Sequence, residues 1–199
     1  MHPNPAFRSD DRALHHTLID EIGFAMIFAQ TPDGPRVAHT PVVRTGDGTL
    51  RFHLALGNAL TRHLTGANAP ALVNGPDSYI SPRWYVSPDQ VPTWNYVALE
   101  LEGPVRRLDE DELVALLDDL SARQEARLEG EPWTRAKMDD ALFHKMLRAI
   151  TGFELAIKAW RPTIKLGQHK PPEDRASVAD ALDARGSTAL AALTRKLAP

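Results

Sequence analysis

Apolar residues at Leu14, Leu18, Ile19 and Ile22 share one helical face, and Gly23 follows them, so the chain is expected to open with a helix from Asp10 to Ile22 capped by Ser9 or Asp10. After Gly23 the rhythm shortens. FAMIFAQ, RVAHTPVV, LRFHLAL and PALVNG read as successive strands parted by TPDGP and RTGDGT, with Asp33-Gly34 and Asp47-Gly48 as hairpin signals. NALTRHLT, Asn58 to Thr65, predicts a short helix with Asn58 as its N-cap. YVALELEGPV alternates, with Val97, Leu99 and Leu101 on one face and Tyr96, Ala98, Glu100 and Glu102 on the other.

From Asp109 the period becomes helical again. DEDELVALLDDLSARQEARLEG carries Asp109 and Glu112 as a capping pair, then Leu113, Leu116, Leu117 and Leu120 as a stripe. A second helical segment runs from Lys137 to Ile150, and GFELAIKAWR predicts a last strand from Gly152 to about Arg161. The tail reads as two short helices broken at Gly186. Hairpin-linked strands before the long helix, with one strand returning after it, give an α+β fold: a small antiparallel barrel with peripheral helices.

Residues 79–96, YISPRWYVSPDQVPTWNY, hold three prolines and five aromatic residues, more stiff and flat side chains than a solvated loop needs. A packed core, a protein interface and a slot for a planar ligand all account for them. Strand parity narrows the choice: if Val97, Leu99 and Leu101 face inward, Trp94 and Tyr96 face outward. Outward aromatics mark an interface or a ligand groove, or they are covered by a helix or by the 81–92 loop.

Composition limits the partners. Lys and Arg number 23 against 26 Asp and Glu, a formal net charge of -3, so nothing global draws the chain to nucleic acid or to acidic membranes. Without cysteine there is no disulfide, thiolate metal site or cysteine nucleophile. No stretch has the length to span a bilayer and the start lacks a secretory pattern, so the expectation is a soluble cytoplasmic protein. Eight histidines are present, yet no HExxH or His-x-His accompanies them, and no metal site is expected. GxSxG, GxGxxG and P-loop patterns are absent as well.

Two further segments carry candidate chemistry. In HLALGNALTRHL a strand gives way near Asn58 to the expected helix start, an anion-binding arrangement to which Asn58, Thr61 and Arg62 add donors. TIKLGQHK, Thr163 to Lys170, offers Lys165 and Gln168 to a phosphate or to the polar edge of a heterocycle.

Taken together, YISPRWY, VPTWNY, FHLALGNAL and IKLGQHK, in this order over nearly the whole chain, resemble the PaiB family of FMN-binding negative transcriptional regulators. The resemblance implies an FMN-binding split barrel, a homodimer and a flavin in grooves between the subunits. It implies a barrel domain over residues 1–170 with a helical insertion at about 109–150, and a C-terminal helical tail over 171–199. Carried over motif by motif, His53, Ala55 and Asn58 would lie beside the flavin phosphate or ribityl chain with Thr40 on the neighbouring strand. Trp94 and Asn95 would lie near the ring system, and Lys165 and Gln168 would close the site. The chain departs from the family at Gly167, where Ser is usual, and at Ala59, where Pro is common.

The resemblance leaves DNA open as a partner, but no recognition helix or basic face supports direct contact, and indirect regulation is the other route. The alternatives are a flavin-dependent oxidoreductase of the pyridoxine phosphate oxidase or flavin reductase type and, lower, a haem-binding split-barrel protein.

Overall fold

Asp11, rather than Ser9 or Asp10, opens the first helix: its Oδ1 accepts the amide of Leu14 at 3.0 Å, and α1 runs over Arg12–Ile22. The structure, a computed structural model, describes residues 2–46 and 48–197. The chain continues with β1 (Phe24–Thr31), β2 (Gly34–Thr45), β3 (Thr49–Ala55), β4 (Asn68–Ile80) and β5 (Thr93–Arg107). It then forms α2 (Glu110–Glu125), α3 (Asp140–Leu147), β6 (Ile150–Ala156), β7 (Ala159–Lys165), α4 (Pro172–Ala184) and α5 (Thr188–Leu197).

The strands form one sheet in the order β4-β1-β2-β3-β6-β5-β7, and a further β4–β5 pairing makes the order close on itself. Every strand pair with a defined register is antiparallel. This is the antiparallel barrel class with helices that the strand pattern predicts.

Two expected elements differ. The last strand is two strands, β6 and β7, because the amide of Ile157 turns to the carbonyl of Gly48 and that of Lys158 to the carbonyl of Glu102, which interrupts the alternation. The expected helix from Asn58 is a run of turns. There the amides of Thr61 and His63 reach back three residues to the carbonyls of Asn58 and Leu60, and the ladder never becomes helical. Of the two hairpin signals, Gly34 sits at φ +97°, a conformation open to glycine, in the β1–β2 turn. Asp47 lies outside the described residues.

The chain packs as two compact units, each assembled from separated segments. The larger comprises 16–73 and 100–160. In it Phe52 and Phe153 stand directly opposite on β3 and β6 and stack with centroids 5.5 Å apart. Leu113, Leu116 and Leu120 of α2, three members of the expected stripe, bury against Val43, Leu108, Phe143 and Leu147. Asp109 and Glu112 form the expected capping box. Asp20 joins helix to sheet, accepting from Arg44 at 2.8 Å and from Arg123 at 3.3 Å.

The smaller unit comprises 1–15, 74–99 and 161–199. Its tail is α4 and α5, broken at Gly186 as the sequence predicts. Arg195 holds the two helices together through Asp180 at 2.7 Å and Asp183 at 2.6 Å. The guanidinium of Arg185 lies 5.5 Å from the ring centre of Trp84.

Candidate functional site

Thr40, His53, Ala55 and Asn58 all belong to the larger unit. Thr40, 1% exposed on β2, donates its hydroxyl to the carbonyl of His53 at 2.7 Å and so fixes β2 against β3. His53 has a buried Nδ1 with no partner among the described residues. Burial pushes the His53 pKa down, so the ring is held neutral, with one nitrogen able to donate and the other to accept. Ala55 ends β3 with its methyl group exposed.

Asn58 does not cap a helix. Its Oδ1 accepts the amide of Leu60 at 2.9 Å, its own amide bonds the carbonyl of Ala55 at 2.9 Å, and Thr61 donates its hydroxyl to that carbonyl at 2.8 Å. The donor groups expected of a helix start are therefore partly closed on themselves, and no helix dipole stands behind them. The Asn58 side-chain amide and the neutral His53 ring remain the polar groups this turn can offer.

Trp94, Asn95, Lys165 and Gln168 belong to the smaller unit. Alternation along β5 turns the first two to opposite faces: Trp94 is 53% exposed, whereas Asn95 is 2% exposed on the side of Val97. Parity was legible in the sequence, and it puts the Asn95 side chain on the opposite face of β5 from the Trp94 ring. On the outer face Tyr79 meets Trp94 edge to face at 6.5 Å and Trp84 at 6.4 Å. A shallow cavity of about 300 Å³, lined by Asn74, Asp77, Trp94 and Tyr96, opens on the same face.

Lys165 ends β7, where its ammonium donates to Thr93 Oγ1 at 2.5 Å and to the Trp94 carbonyl at 2.6 Å, and burial lowers its pKa. Gln168 is engaged within its own segment. Its Oε1 accepts the amide of Leu166 at 2.9 Å and its Nε2 donates to the carbonyl of Ile164, so the carboxamide braces its own turn. Gly167 completes that turn at φ +80°.

Asn95 and Lys165 line a cavity of about 250 Å³ together with Phe7, Tyr85, His169 and Lys170. Sequence reasoning did not assign the last four. The usable signal was the spacing of Lys165, His169 and Lys170 in one short segment. Another cavity, of about 470 Å³ between α2 and residues 132–136, is walled by Trp133 and by the Asp118–Arg135 pair and holds none of the expected residues.

Comparison with known proteins gives these residues a setting. The family described as "Putative FMN-binding domain" matches residues 1–159. The protease synthase and sporulation protein PAI 2 of Bacillus subtilis (strain 168) is 27% identical over 168 residues, which cover 82% of this chain and 80% of that protein. Among solved structures, the FAD and haem binding protein of Mycobacterium smegmatis aligns with a TM-score of 0.60 at 23% identity, covering 86% of this chain and 78% of the other. The flavocytochrome of Azotobacter vinelandii aligns with a TM-score of 0.56 at 18% identity, covering 80% and 69%. At these identities the two structures establish a shared fold. No helix among the described residues is long and apolar enough to cross a membrane.

Proposed function

Because the chain belongs to the FMN-binding domain family, we propose that it works in the cytoplasm as an FMN-binding homodimer of the PaiB type and acts as an indirect negative regulator of transcription. FMN supplies reversible hydride and electron transfer when bound, and the protein supplies position and surroundings.

The observation that carries the reading is His53. A half-buried imidazole whose Nδ1 is shut off from solvent without a partner among the described residues, and whose pKa burial lowers toward the neutral form, is a polar group that a ligand would satisfy. His53 would hold a polar edge of the flavin's ribityl phosphate, with the Asn58 amide as a second donor and Ala55 keeping the approach open. Thr40 would position His53 through the backbone, as its hydroxyl already serves the His53 carbonyl.

The exposed pair Tyr79 and Trp94 supports the dimer. Tyr79, 39% exposed, and Trp94, 53% exposed, meet edge to face and offer an apolar surface that a second copy would cover. Kinship with the Bacillus subtilis protein, named for protease synthase and sporulation, supports a regulatory role.

The decisive experiment is the visible spectrum and the mass in solution of the purified protein. Flavin bands and twice the chain mass are expected, with His53→Leu losing FMN affinity about tenfold while keeping its fold, a change of about 1.4 kcal/mol. A colourless monomer indifferent to added FMN overturns the reading, and a Soret band replaces the flavin with haem. A second reading, an FMN-dependent oxidoreductase, is favoured by the cavity at Lys165, which offers room for a second small molecule. Bleaching of the bound flavin by NADH or NADPH in the absence of another enzyme tests it.

A further inference from the structure

The cavity of about 250 Å³ in the smaller unit brings two lysines, Lys165 and Lys170, and four rings, His2, Phe7, Tyr85 and His169, into one lining. Lys165 is held by two neutral oxygens, and Lys170 donates to Gln90 Oε1 at 2.6 Å, also neutral. Among the described residues neither ammonium is ion-paired, and no carboxylate lines the cavity. Asp174 interacts electrostatically with Lys170 while its Oδ1 accepts the amides of Val86 and Ser87. His169 is pushed toward its neutral form by burial and then by Lys170 and Lys165. Asp174 acts on Lys170 from outside the cavity, no carboxylate among the described residues reaches Lys165 within it, and a bound anion would relieve the cost of holding two partly desolvated ammonium groups together.

The rest of the wall is flat. Lys170 lies 5.4 Å from the Tyr85 ring centre, and Phe7 meets His169 edge to face at 5.7 Å. Burial and then the field of Asp174 push the Tyr85 phenol up, so it remains a donor. Asn95 adds a buried carboxamide. The volume falls below the roughly 300–1,000 Å³ that holds a drug-sized ligand, so it suits one ring with one anionic group and not a flavin nucleotide.

We propose that this cavity binds a small aromatic acid, a single ring bearing a carboxylate or a phosphate. The ring lies among Phe7, Tyr85 and His169, and the anion sits between Lys165 and Lys170. The assignment goes beyond the flavin reading and stands on the cavity alone.

Isothermal titration of the full chain, saturated with FMN and stripped of it, with benzoate, phenyl phosphate and inorganic phosphate tests the proposal. Benzoate or phenyl phosphate is expected to bind in both states. Inorganic phosphate, lacking the ring, is expected to bind at least about tenfold more weakly. Lys170→Met should weaken the aromatic acids at least about tenfold and Lys170→Arg should restore them, with FMN affinity and melting temperature unchanged in both variants.

Absence of binding, or equal binding by Lys170→Met, overturns the proposal. Displacement of FMN by phenyl phosphate, together with loss of FMN in Lys170→Met, also overturns it by placing the flavin's own phosphate there. Aromatic acids that bind through Lys170 to a protein unable to take FMN leave this proposal standing and remove the flavin reading alone.

Discussion

The backbone amide of Ser87 donates to Oδ1 of Asp174 at 2.9 Å, although 87 positions separate the two residues, and the amide of Val86 donates to the same oxygen at 2.8 Å. One buried carboxylate in the first turn of α4 thus fastens the Pro-rich loop after β4 to the C-terminal helices. The position suits a negative charge, since a helix start presents its positive dipole end.

Removing that anchor is expected to release the loop. Asp174→Ala takes the shared acceptor from the Val86 and Ser87 amides and should lower the melting temperature by several degrees. The Ser87 amide first, and then the other donors, hold the Asp174 pKa below its ordinary 3.8. Its contribution is therefore present above that value and lost as pH falls through the lower folded value. Thermal melts from pH 5 down to pH 2 check this: the wild type should lose stability in acid more steeply than Asp174→Asn.

Gly103 and Gly75 separate two degrees of close approach. A Cβ on Gly103 would stand 1.8 Å from the Ala156 carbonyl oxygen, which is backbone and cannot step aside, so Gly103→Ala must push β5 from its neighbour. A loss above about 3 kcal/mol or failure to fold is expected. At Gly75 the same Cβ meets the Val97 side chain at 2.9 Å and its carbonyl at 3.1 Å, and Gly75→Ala should cost about 1–3 kcal/mol. Urea denaturation ranks the two.

Much of the fold was legible because period and punctuation agreed with the tertiary structure. Val97, Leu99 and Leu101 point inward, Trp94 points outward, and Asp109 with Glu112 makes its capping box. Readings failed where a long-range partner outweighed the local pattern. The alternation through GFELAIKAWR hid a break imposed by Gly48 and Glu102, residues distant in sequence. Asn58 read as a helix cap because its side chain does cap a turn, but the following amides close three-residue turns. The carboxamide of Gln168 bonds Ile164 and Leu166 within its own turn, a local role that the sequence pattern did not announce. The cavity at Lys170 was hidden for a related reason: Phe7, Tyr85 and His169 meet only in the folded chain.

Acid should find a second weak point in the larger unit. Glu112 accepts from Arg106 at 2.6 Å and 2.7 Å and takes the Asp109 amide at 3.1 Å. The Arg106 bonds first, then that amide, draw its pKa from an ordinary 4.5 to about 2. A depressed carboxylate contributes above pH 4.5 and loses that contribution as pH falls toward about 2. Glu112→Gln should flatten the acid limb of the stability curve within that window and leave its slope above pH 5 unchanged, as followed by chemical denaturation.

Gly167 tests whether space or backbone sets the turn after β7. A Cβ there would touch nothing closer than Lys170 Cγ at 3.8 Å and Asn95 Nδ2 at 3.9 Å, so space is available. The φ of +80° is the obstacle. Gly167→Ser, which brings in the residue usual in the PaiB family, is expected to cost about 1–2 kcal/mol through the left-handed backbone. A melting temperature equal to wild type would show that the turn relaxes to a negative φ.

Trp94 offers the sharpest test of the proposed assembly, because it is exposed and its removal should not disturb the core. Its ring meets Tyr79 edge to face at 6.5 Å, and the residue is 53% exposed in the single chain. Truncation to Ala removes no core packing and should leave the fold and melting transition of the single chain close to wild type at high dilution. If a second copy covers this face, the indole is an aromatic anchor of the kind whose truncation costs at least about 2 kcal/mol of association, a shift of more than tenfold in the dimer dissociation constant. Sedimentation of wild type and Trp94→Ala across a dilution series reads that shift directly, and flavin absorbance in the same cells shows whether FMN leaves with the partner. Identical masses and identical flavin content at every concentration would remove Trp94 from both the dimer face and the flavin.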